Sequence, residues 1–215
     1  AGADPEDPAA WCPFCAGNEP QTPPHLLRVP DDPATAWRAR IIPNRYPVVA
    51  PGASVPAEAG RRPAHGVHEV LVESAAHATT ILAVEPAAWC EAWELGRRRL
   101  AMLAPRADLA WATVFKNSGP RAGASLEHVH SQIVGLDFVP PAIRAEAAAA
   151  ARDPEGFAAL LRSATAEGRV VAEDDGLVVL VPPAPRQPLE TWIVPRRSEE
   201  HTSELQSRFG ISYAV

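Results

Sequence analysis

Proline is the feature that most restricts how the first 38 residues of this chain can fold. Because proline lacks a backbone N–H and is excluded from helix interiors and central strands, this segment has little room for regular elements. Its prolines are Pro5, Pro8, Pro13, Pro20, Pro23, Pro24, Pro30 and Pro33. Such a segment needs an external constraint, and a metal ion bound at Cys12 and Cys15 would supply one.

The Cys12 and Cys15 pair is compatible with half of a tetrahedral zinc site or with a redox pair. The preceding Trp11 is typical of redox motifs, but those motifs lie between a strand and the start of a helix, whereas residues 16–20 lead into more prolines. Zinc completed by two imidazoles is therefore the favoured interpretation. The remaining cysteine, Cys90, lies in a helical pattern, and we expect it to be a buried thiol without a chemical role.

Helical patterns and apolar runs follow one another irregularly through the rest of the chain. One helical pattern runs from Pro86 to about Leu103, and its stripe of Trp89, Trp93, Leu100 and Leu103 at helical spacing is predicted to lie in the core. Further helices are predicted at 142–151 and 154–166, and strands at 39–43, 66–73, 110–115, 132–138, 169–173, 177–181 and 191–194. This order favours an α+β fold over a regular βαβ winding.

Charge and hydropathy argue against a protein that coats nucleic acid and against a protein that spans a membrane. The 215 residues carry a formal net charge of -6, whereas a protein that coats nucleic acid needs a basic face to neutralise phosphates. The sequence also lacks a run of about 20 apolar residues that could span a bilayer. We therefore expect a soluble, cytoplasmic protein that binds neither nucleic acid nor a membrane.

The end of the chain matches an artificial sequence. Residues 197–207 read Arg-Ser-Glu-Glu-His-Thr-Ser-Glu-Leu-Gln-Ser, which is, codon by codon, the translation of a common short-read sequencing adapter. We therefore interpret 197–215 as an assembly artefact and exclude it from the fold, as one would a fusion scar.

The segment 117–132 is the densest candidate for chemistry. If the chain is extended from His128 to Gln132, side chains alternate, so His128, His130 and Gln132 share one face. Upstream, Gly119 and Gly123 would let backbone N–H groups approach an anion and form a cradle. A phosphate group beside an imidazole is the natural inference.

An imidazole suits attack on phosphorus, because one ring nitrogen can be held by a hydrogen bond while the other attacks. A His-x-His pair alone is more often two incidental surface histidines. Here the pair is flanked by Gly-Ala-Ser at 123–125 and by Gln132, whose amide can bind a phosphoryl oxygen without adding charge. These flanks favour the chemical interpretation.

Taken together, these motifs resemble the galactose-1-phosphate uridylyltransferase family of the histidine-triad superfamily. The matching features are Cys-Pro-Phe-Cys at 12–15, Asn44 in the turn after a strand, Val-Glu-Ser-x-x-His ending at His77, and Gly-x-Ser-x-x-His-x-His-x-Gln ending at Gln132. The resemblance implies a histidine-triad-like fold, an antiparallel sheet with helices. It further implies a complete first repeat at 1–138, carrying the zinc knuckle and the catalytic motif, and a truncated second repeat at 139–196.

The resemblance also implies roles for individual residues. Cys12, Cys15, His77 and His128 would bind a structural zinc ion, although spacing alone does not select His77 over His65 or His68. His130 would take up the nucleotidyl group. Ser125, Asn117 and Gln132 would contact phosphates beside Gly119 and Gly123, and the turn that contains Asn44 would help to hold the nucleoside.

The activity implied by this resemblance is a ping-pong nucleotidyl transfer from a nucleoside-diphosphate sugar to a sugar 1-phosphate. UDP-glucose:hexose-1-phosphate uridylyl transfer by a homodimer is the first interpretation. The alternative is an ADP-glucose or dinucleoside polyphosphate phosphorylase that uses phosphate as the acceptor. Residues 126–130 read Leu-Glu-His-Val-His, where the galactose enzymes commonly have Asn-Pro-His-Pro-His. An alternative of another class is a non-catalytic zinc-knuckle binding module.

Overall fold

The computed structural model describes residues 7–52 and 62–196 and the backbone of 209–214. The helices are α1 (Pro8–Trp11), α2 (Pro86–Leu103), α3 (Pro141–Arg152) and α4 (Gly156–Ala166). The strands are β1 (Leu27–Val29), β2 (Ala39–Pro43), β3 (Gly66–Val72), β4 (Trp111–Asn117), β5 (His130–Leu136), β6 (Val170–Glu173), β7 (Leu177–Leu180), β8 (Trp192–Pro195) and β9 (Phe209–Ala214).

The predicted α+β class is confirmed. Among the described residues, one sheet has the strand order β1-β2-β3-β5-β4-β9, and its pairs are antiparallel except for the parallel pair of β4 and β9. A second, antiparallel sheet has the order β6-β7-β8. The short elements between the early prolines, α1 and β1, agree with the restriction that proline imposes.

Both faces of the larger sheet are covered, and every residue of β3 is accordingly buried. On one face, α2 packs Ala92, Leu95 and Leu103 against Leu71 and Ile133 of the sheet. On the other face, the cysteine segment packs its side chains against β2 and β3, in a cluster of Cys12, Phe14, Cys15, Trp37, Ile42, Val70 and Val72. The cysteine segment is thus packed against the sheet on the side of β2 and β3 that carries Ile42, Val70 and Val72.

Two details differ from the sequence predictions. β5 begins at His130 rather than at 132, and β4 continues to Asn117, so the loop between them is shorter than expected. The expectation that Cys90 is buried is wrong, since its thiol is exposed. The reason is that the buried stripe of α2 is formed by Ala92, Leu95, Gly96 and Leu103, and Cys90 lies outside that stripe.

The chain divides into two compact units, residues 1–139 with 208–215, and residues 140–207. The interpretation of the second unit as the start of a second repeat stays a prediction. Most of the segment interpreted as an artefact, 197–208 and 215, lies outside the described residues, and the backbone of 209–214 pairs with β4. That interpretation too stays a prediction. Within the described ranges, helices long and apolar enough to cross a membrane are absent.

Candidate metal centre and nucleotidyl-transfer site

The structure brings Cys12, Cys15, His77 and His128 together, with one ligand atom of each within 4.8 Å of the others. The His128 Nδ1 atom lies 3.4 Å from Cys12 Sγ and 3.5 Å from Cys15 Sγ, and His77 Nδ1 lies 3.4 Å from Cys15 Sγ. A tetrahedral zinc ion with ordinary bond lengths to sulfur and nitrogen requires S···N separations of about 3.5 Å. The donor set therefore fits a four-coordinate metal ion.

Contacts around the ligands orient them for metal binding. His128 Nε2 donates to the Ser74 carbonyl oxygen at 2.9 Å, so the lone pair of this imidazole lies on Nδ1, the atom that faces the cysteines. The Asn18 side chain donates to the Cys12 carbonyl oxygen at 2.9 Å and to that of Ala9 at 2.9 Å. These bonds hold the cysteine turn in place, so a bound ion would meet a largely formed site.

Burial shifts the pKa values of two of the candidate ligands, Cys15 and His128. It is the main cause that raises the pKa of the Cys15 thiol to about 12, with Cys12 contributing to the same effect. Burial also lowers the pKa of His128 to about 4, and the ring is therefore neutral and able to coordinate at neutral pH. A divalent cation would supply the positive charge that the Cys15 thiol needs in order to ionise.

His130 is held in an orientation suited to nucleophilic attack. It opens β5 opposite Val72 of β3, and its side chain is buried. Its Nδ1 donates to the His128 carbonyl oxygen at 2.7 Å, so the lone pair lies on Nε2. Burial, with a smaller contribution from Lys116, lowers the pKa of His130, and the neutral nucleophilic form is therefore favoured near pH 7.

The His130 ring borders two cavities. The smaller, of about 180 Å³, is also lined by Asn117, Gly119 and His128. The larger, of about 430 Å³, is also lined by Asn44, Ser125 and Gln132 and has apolar walls. These apolar walls include Phe14, Ile42, Val70 and Leu126. A ligand with a polar phosphate part and a flatter, less polar part could use both cavities.

Most of the predicted phosphate-binding residues line one of the two cavities beside His130, whereas Gly123 does not. Gly123 has a positive φ of 85° and ends a 3₁₀ turn, and it lies outside both cavity linings. It shapes the loop through its backbone conformation, which a residue with a side chain rarely adopts. His128 precedes β5, and its ring faces the cysteines rather than the cavity wall that Gln132 forms.

The sequence reasoning missed a buried network behind His130. Lys116 forms an ion pair with Glu73 and donates to the His130 carbonyl oxygen at 2.9 Å. Ser131, which points away from His130 because neighbours on a strand alternate, donates to the other oxygen of Glu73. One feature of the sequence could have indicated this network: Lys116 is the single lysine in a chain whose other permanently charged basic side chains are arginines.

His68 is the second residue that the sequence reasoning did not place in the site. It entered that reasoning only as one of the histidines that might have been a metal ligand. In the structure it lies on β3, is buried, and contacts Gln132 and Asn44. It is not a member of the metal cluster.

Comparisons with known proteins agree with this geometry. Residues 58–140 match the model of the family described as galactose-1-phosphate uridyl transferase, N-terminal domain. An ADP-glucose phosphorylase of Arabidopsis thaliana is 31% identical over 211 residues, with 94% of this chain and 59% of that protein covered. A galactose-1-phosphate uridylyltransferase of Thermotoga maritima is 27% identical over 203 residues, with 90% and 59% covered.

A solved structure shows the same fold. The crystal structure of an ADP-glucose phosphorylase from Arabidopsis thaliana with bound ADP-glucose matches with a TM-score of 0.75 and 28% identity, over 91% of this chain and 64% of that one. The chain spans 59% of the length of the two curated relatives. These matches confirm the resemblance to the galactose-1-phosphate uridylyltransferase family, and residues 58–140 match the model of its N-terminal domain.

Proposed function

We propose that this chain carries the nucleophile half of a nucleotidyltransferase that works through a covalent nucleotidyl-His130. The observation that carries the proposal is the hydrogen bond from His130 Nδ1 to the His128 carbonyl oxygen, which leaves Nε2 as the nucleophilic atom. This ring borders both cavities, so a phosphorus atom placed between them would be within its reach. Relatives that are nucleotidyltransferases support the same reaction class.

In the first half-reaction, His130 Nε2 attacks the α-phosphorus of a nucleoside-diphosphate sugar, and the bond from that phosphorus to the bridging oxygen breaks. The sugar 1-phosphate leaves with the electron pair of that bond. In the second half-reaction the acceptor phosphate attacks the same phosphorus, the P–N bond breaks, and the imidazole regains its lone pair. The Gln132 amide and backbone N–H groups of the 117–125 loop, other than those of 122–124, which donate to carbonyls within the loop, would stabilise charge on the phosphoryl oxygens.

We propose that the metal is zinc and that its role is structural. Two thiolates and two imidazoles are a donor set that zinc prefers, and the protein fills all four positions of a tetrahedron. A site without an open position has no place for a substrate oxygen. Cys12, Cys15, His77 and His128 would hold the ion, and it would fix the cysteine segment that forms one wall of the larger cavity.

Among the nucleotide sugars, ADP-glucose with phosphate as the acceptor is the better supported choice. The Arabidopsis relative is named an ADP-glucose phosphorylase, and the solved phosphorylase structure contains ADP-glucose. The more distant Thermotoga protein is named a uridylyltransferase, so the first interpretation, UDP-glucose:hexose-1-phosphate uridylyl transfer, is the less well supported one. The homodimer and the cytoplasmic location expected from the sequence stay predictions.

A non-catalytic zinc module would not need the arrangement around His130. A module that uses zinc only to shape a binding surface has no reason to bury a second imidazole and to fix its tautomer beside a cavity. His130 is buried, hydrogen-bonded and in edge contact with the Phe14 ring at 5.3 Å between ring centroids. These contacts support the catalytic interpretation over the binding module.

The test incubates the purified protein separately with α-labelled ADP-glucose and α-labelled UDP-glucose. The reactions are quenched under mildly alkaline conditions, which preserve phosphoramidates, and the label is mapped to a residue. We expect label on His130 with release of glucose 1-phosphate, and more of it from ADP-glucose. Turnover without label on the protein, or label on another residue, would overturn the proposal, and faster labelling by UDP-glucose would overturn the choice of nucleotide.

A further inference from the structure

We infer that His68 is a positioning residue, which turns the amide of Gln132 so that its N–H donors face the phosphoryl group. The inference rests on the proposed function and adds to it a residue that acts through another. His68 is 7% exposed and lies outside the lining of the larger cavity, whereas Gln132 is part of that lining. His68 therefore does not meet the substrate itself.

The strand register places His68 directly behind the site. On β3 and β5, His68 pairs with Val134 and Val70 pairs with Gln132. Residues two apart on a strand share a face, so His68 and Gln132 are diagonal neighbours on the face that carries His130. The distance from His68 Nε2 to Gln132 Oε1 is 2.8 Å, which is a hydrogen bond.

The protonation of His68 follows from its other partner. The backbone N–H of Val48 donates to His68 Nδ1 at 3.1 Å, so this nitrogen carries a lone pair. A neutral imidazole must then carry its proton on Nε2. Nε2 is therefore the donor in the bond to Gln132, and the Gln132 atom that faces it must be the oxygen.

This bond determines what Gln132 offers to the cavity. Because Oε1 accepts from His68, the Gln132 NH₂ group is the end left to bind substrate, and phosphoryl oxygens only accept hydrogen bonds. A reversed amide would aim its oxygen at the phosphate and would repel it. His68 thus excludes the unproductive orientation of Gln132.

The same imidazole links Gln132 to the turn that contains Asn44. Asn44 Oδ1 accepts from the Tyr46 N–H at 2.9 Å, so Asn44 Nδ2 is the atom that lies 3.0 Å from His68 Nε2. Both nitrogens are donors, so Asn44 packs against the ring rather than bonding to it. Through its bonds to Val48 N–H and to Gln132, the His68 ring joins turn 44–48 to Gln132. Asn44 and Gln132 both line the larger cavity, and both contact this ring.

The experiment measures the rate at which α-labelled ADP-glucose labels His130 in single turnover, together with zinc content and thermal unfolding. His68→Phe keeps a ring but loses both hydrogen bonds, and we expect labelling to slow about 5- to 10-fold, the effect of one lost hydrogen bond. His68→Gln places an N–H donor near the position of Nε2. Its labelling rate should be within about 2-fold of that of the unsubstituted protein, the parent. His68→Asn can accept from Val48 but cannot reach Gln132, and it should behave like His68→Phe.

A double variant shows whether His68 acts through Gln132. In the Gln132→Ala background, His68→Phe should slow labelling by less than about 2-fold further, because no amide remains to be oriented. An undiminished effect in that background, or equal rates for the Gln and Asn variants, overturns the inference. If His68→Phe proves unstable, the comparison of the Gln and Asn variants decides.

The labelling of the parent protein shows whether a failure concerns this inference or the proposed function. If the parent turns substrate over without label on His130, the proposed function fails, whatever the variants do. If the parent is labelled on His130 but His68→Phe is labelled at the parent's rate, the proposed function stands and the role of His68 is wrong.

Discussion

The buried ion pair between Lys116 and Glu73 leads to a stability prediction with a defined magnitude. The side chains of Lys116 and Glu73 are 2% and 0% exposed. Burial lowers the pKa of Lys116, and Glu73 opposes that shift, so the charged lysine depends on its partner. Lys116→Met keeps an unbranched side chain but leaves a buried carboxylate without its cation. Removal of one partner of such a pair costs about 3–5 kcal/mol of unfolding free energy, because the remaining charge cannot reach water.

The assay is the free energy of unfolding from urea denaturation, with hydrogen exchange of the β3 and β5 amides to locate the loss. The matched control is Arg38→Met, which breaks the ion pair with Glu91, where the two side chains are 48% and 42% exposed. Solvent screens that pair, so the control should stay close to the parent. Adding Glu73→Gln to Lys116→Met should recover part of the loss, since no unpaired charge remains. If Lys116→Met is as stable as Arg38→Met, the reasoning is refuted.

Three further predictions concern the metal centre and the cysteine outside it. Removal of zinc by a chelator should increase hydrogen exchange in residues 7–38, and unchanged exchange would show that the metal does not order this segment. His130→Asn should keep the metal content of the parent and form no nucleotidyl-enzyme, whereas His128→Asn should lose metal first; equal metal loss in both would contradict the separation of roles. Cys90→Ser should change the unfolding free energy by less than about 0.5 kcal/mol and leave the metal content unchanged, because Cys90 is exposed, and a larger loss would mean that the thiol packs after all.

Short motifs with specific chemistry could be predicted from the sequence. Cys12, Cys15 and the histidines of the 128–130 motif carry donor atoms whose spacing limits their roles, and the structure gathers them accordingly. His68 could not be assigned in this way, because its role depends on Val48 and Gln132, which are 20 and 64 residues away in the chain. Only the register of β3 against β5 brings these partners to one imidazole.

The face of α2 that packs against the sheet shows a second limit of prediction from the sequence. Helical spacing predicts that Trp89 and Trp93 lie in the core, yet they are only partly buried and contact each other at 5.6 Å between ring centroids. The helix lies so near the sheet that a Cβ atom added at Gly96 would be 3.3 Å from Leu71 Cδ2. Small residues therefore occupy part of the face of α2 that contacts the sheet. Whether a small or a large residue fits there depends on the distance between the helix and the sheet, and the periodicity of the sequence does not contain that distance.

His128 links the candidate metal centre to His130, the proposed nucleophile, and this connection would explain how a structural metal could matter for chemistry. His128 Nδ1 faces the cysteines, where it would bind the metal. The same residue donates Nε2–H to Ser74 and accepts the Nδ1–H of His130 on its backbone carbonyl. Phe14, from the cysteine turn, contacts both rings, with centroids 5.9 Å from His128 and 5.3 Å from His130. If the metal leaves, the His128 ring loses one of its two anchors and the Phe14 wall loosens, so the carbonyl that directs His130 Nε2 is no longer held. Since a displacement of about 1 Å at a reacting group can slow a reaction about 100-fold, metal loss should slow nucleotidyl transfer although the ion never touches the substrate.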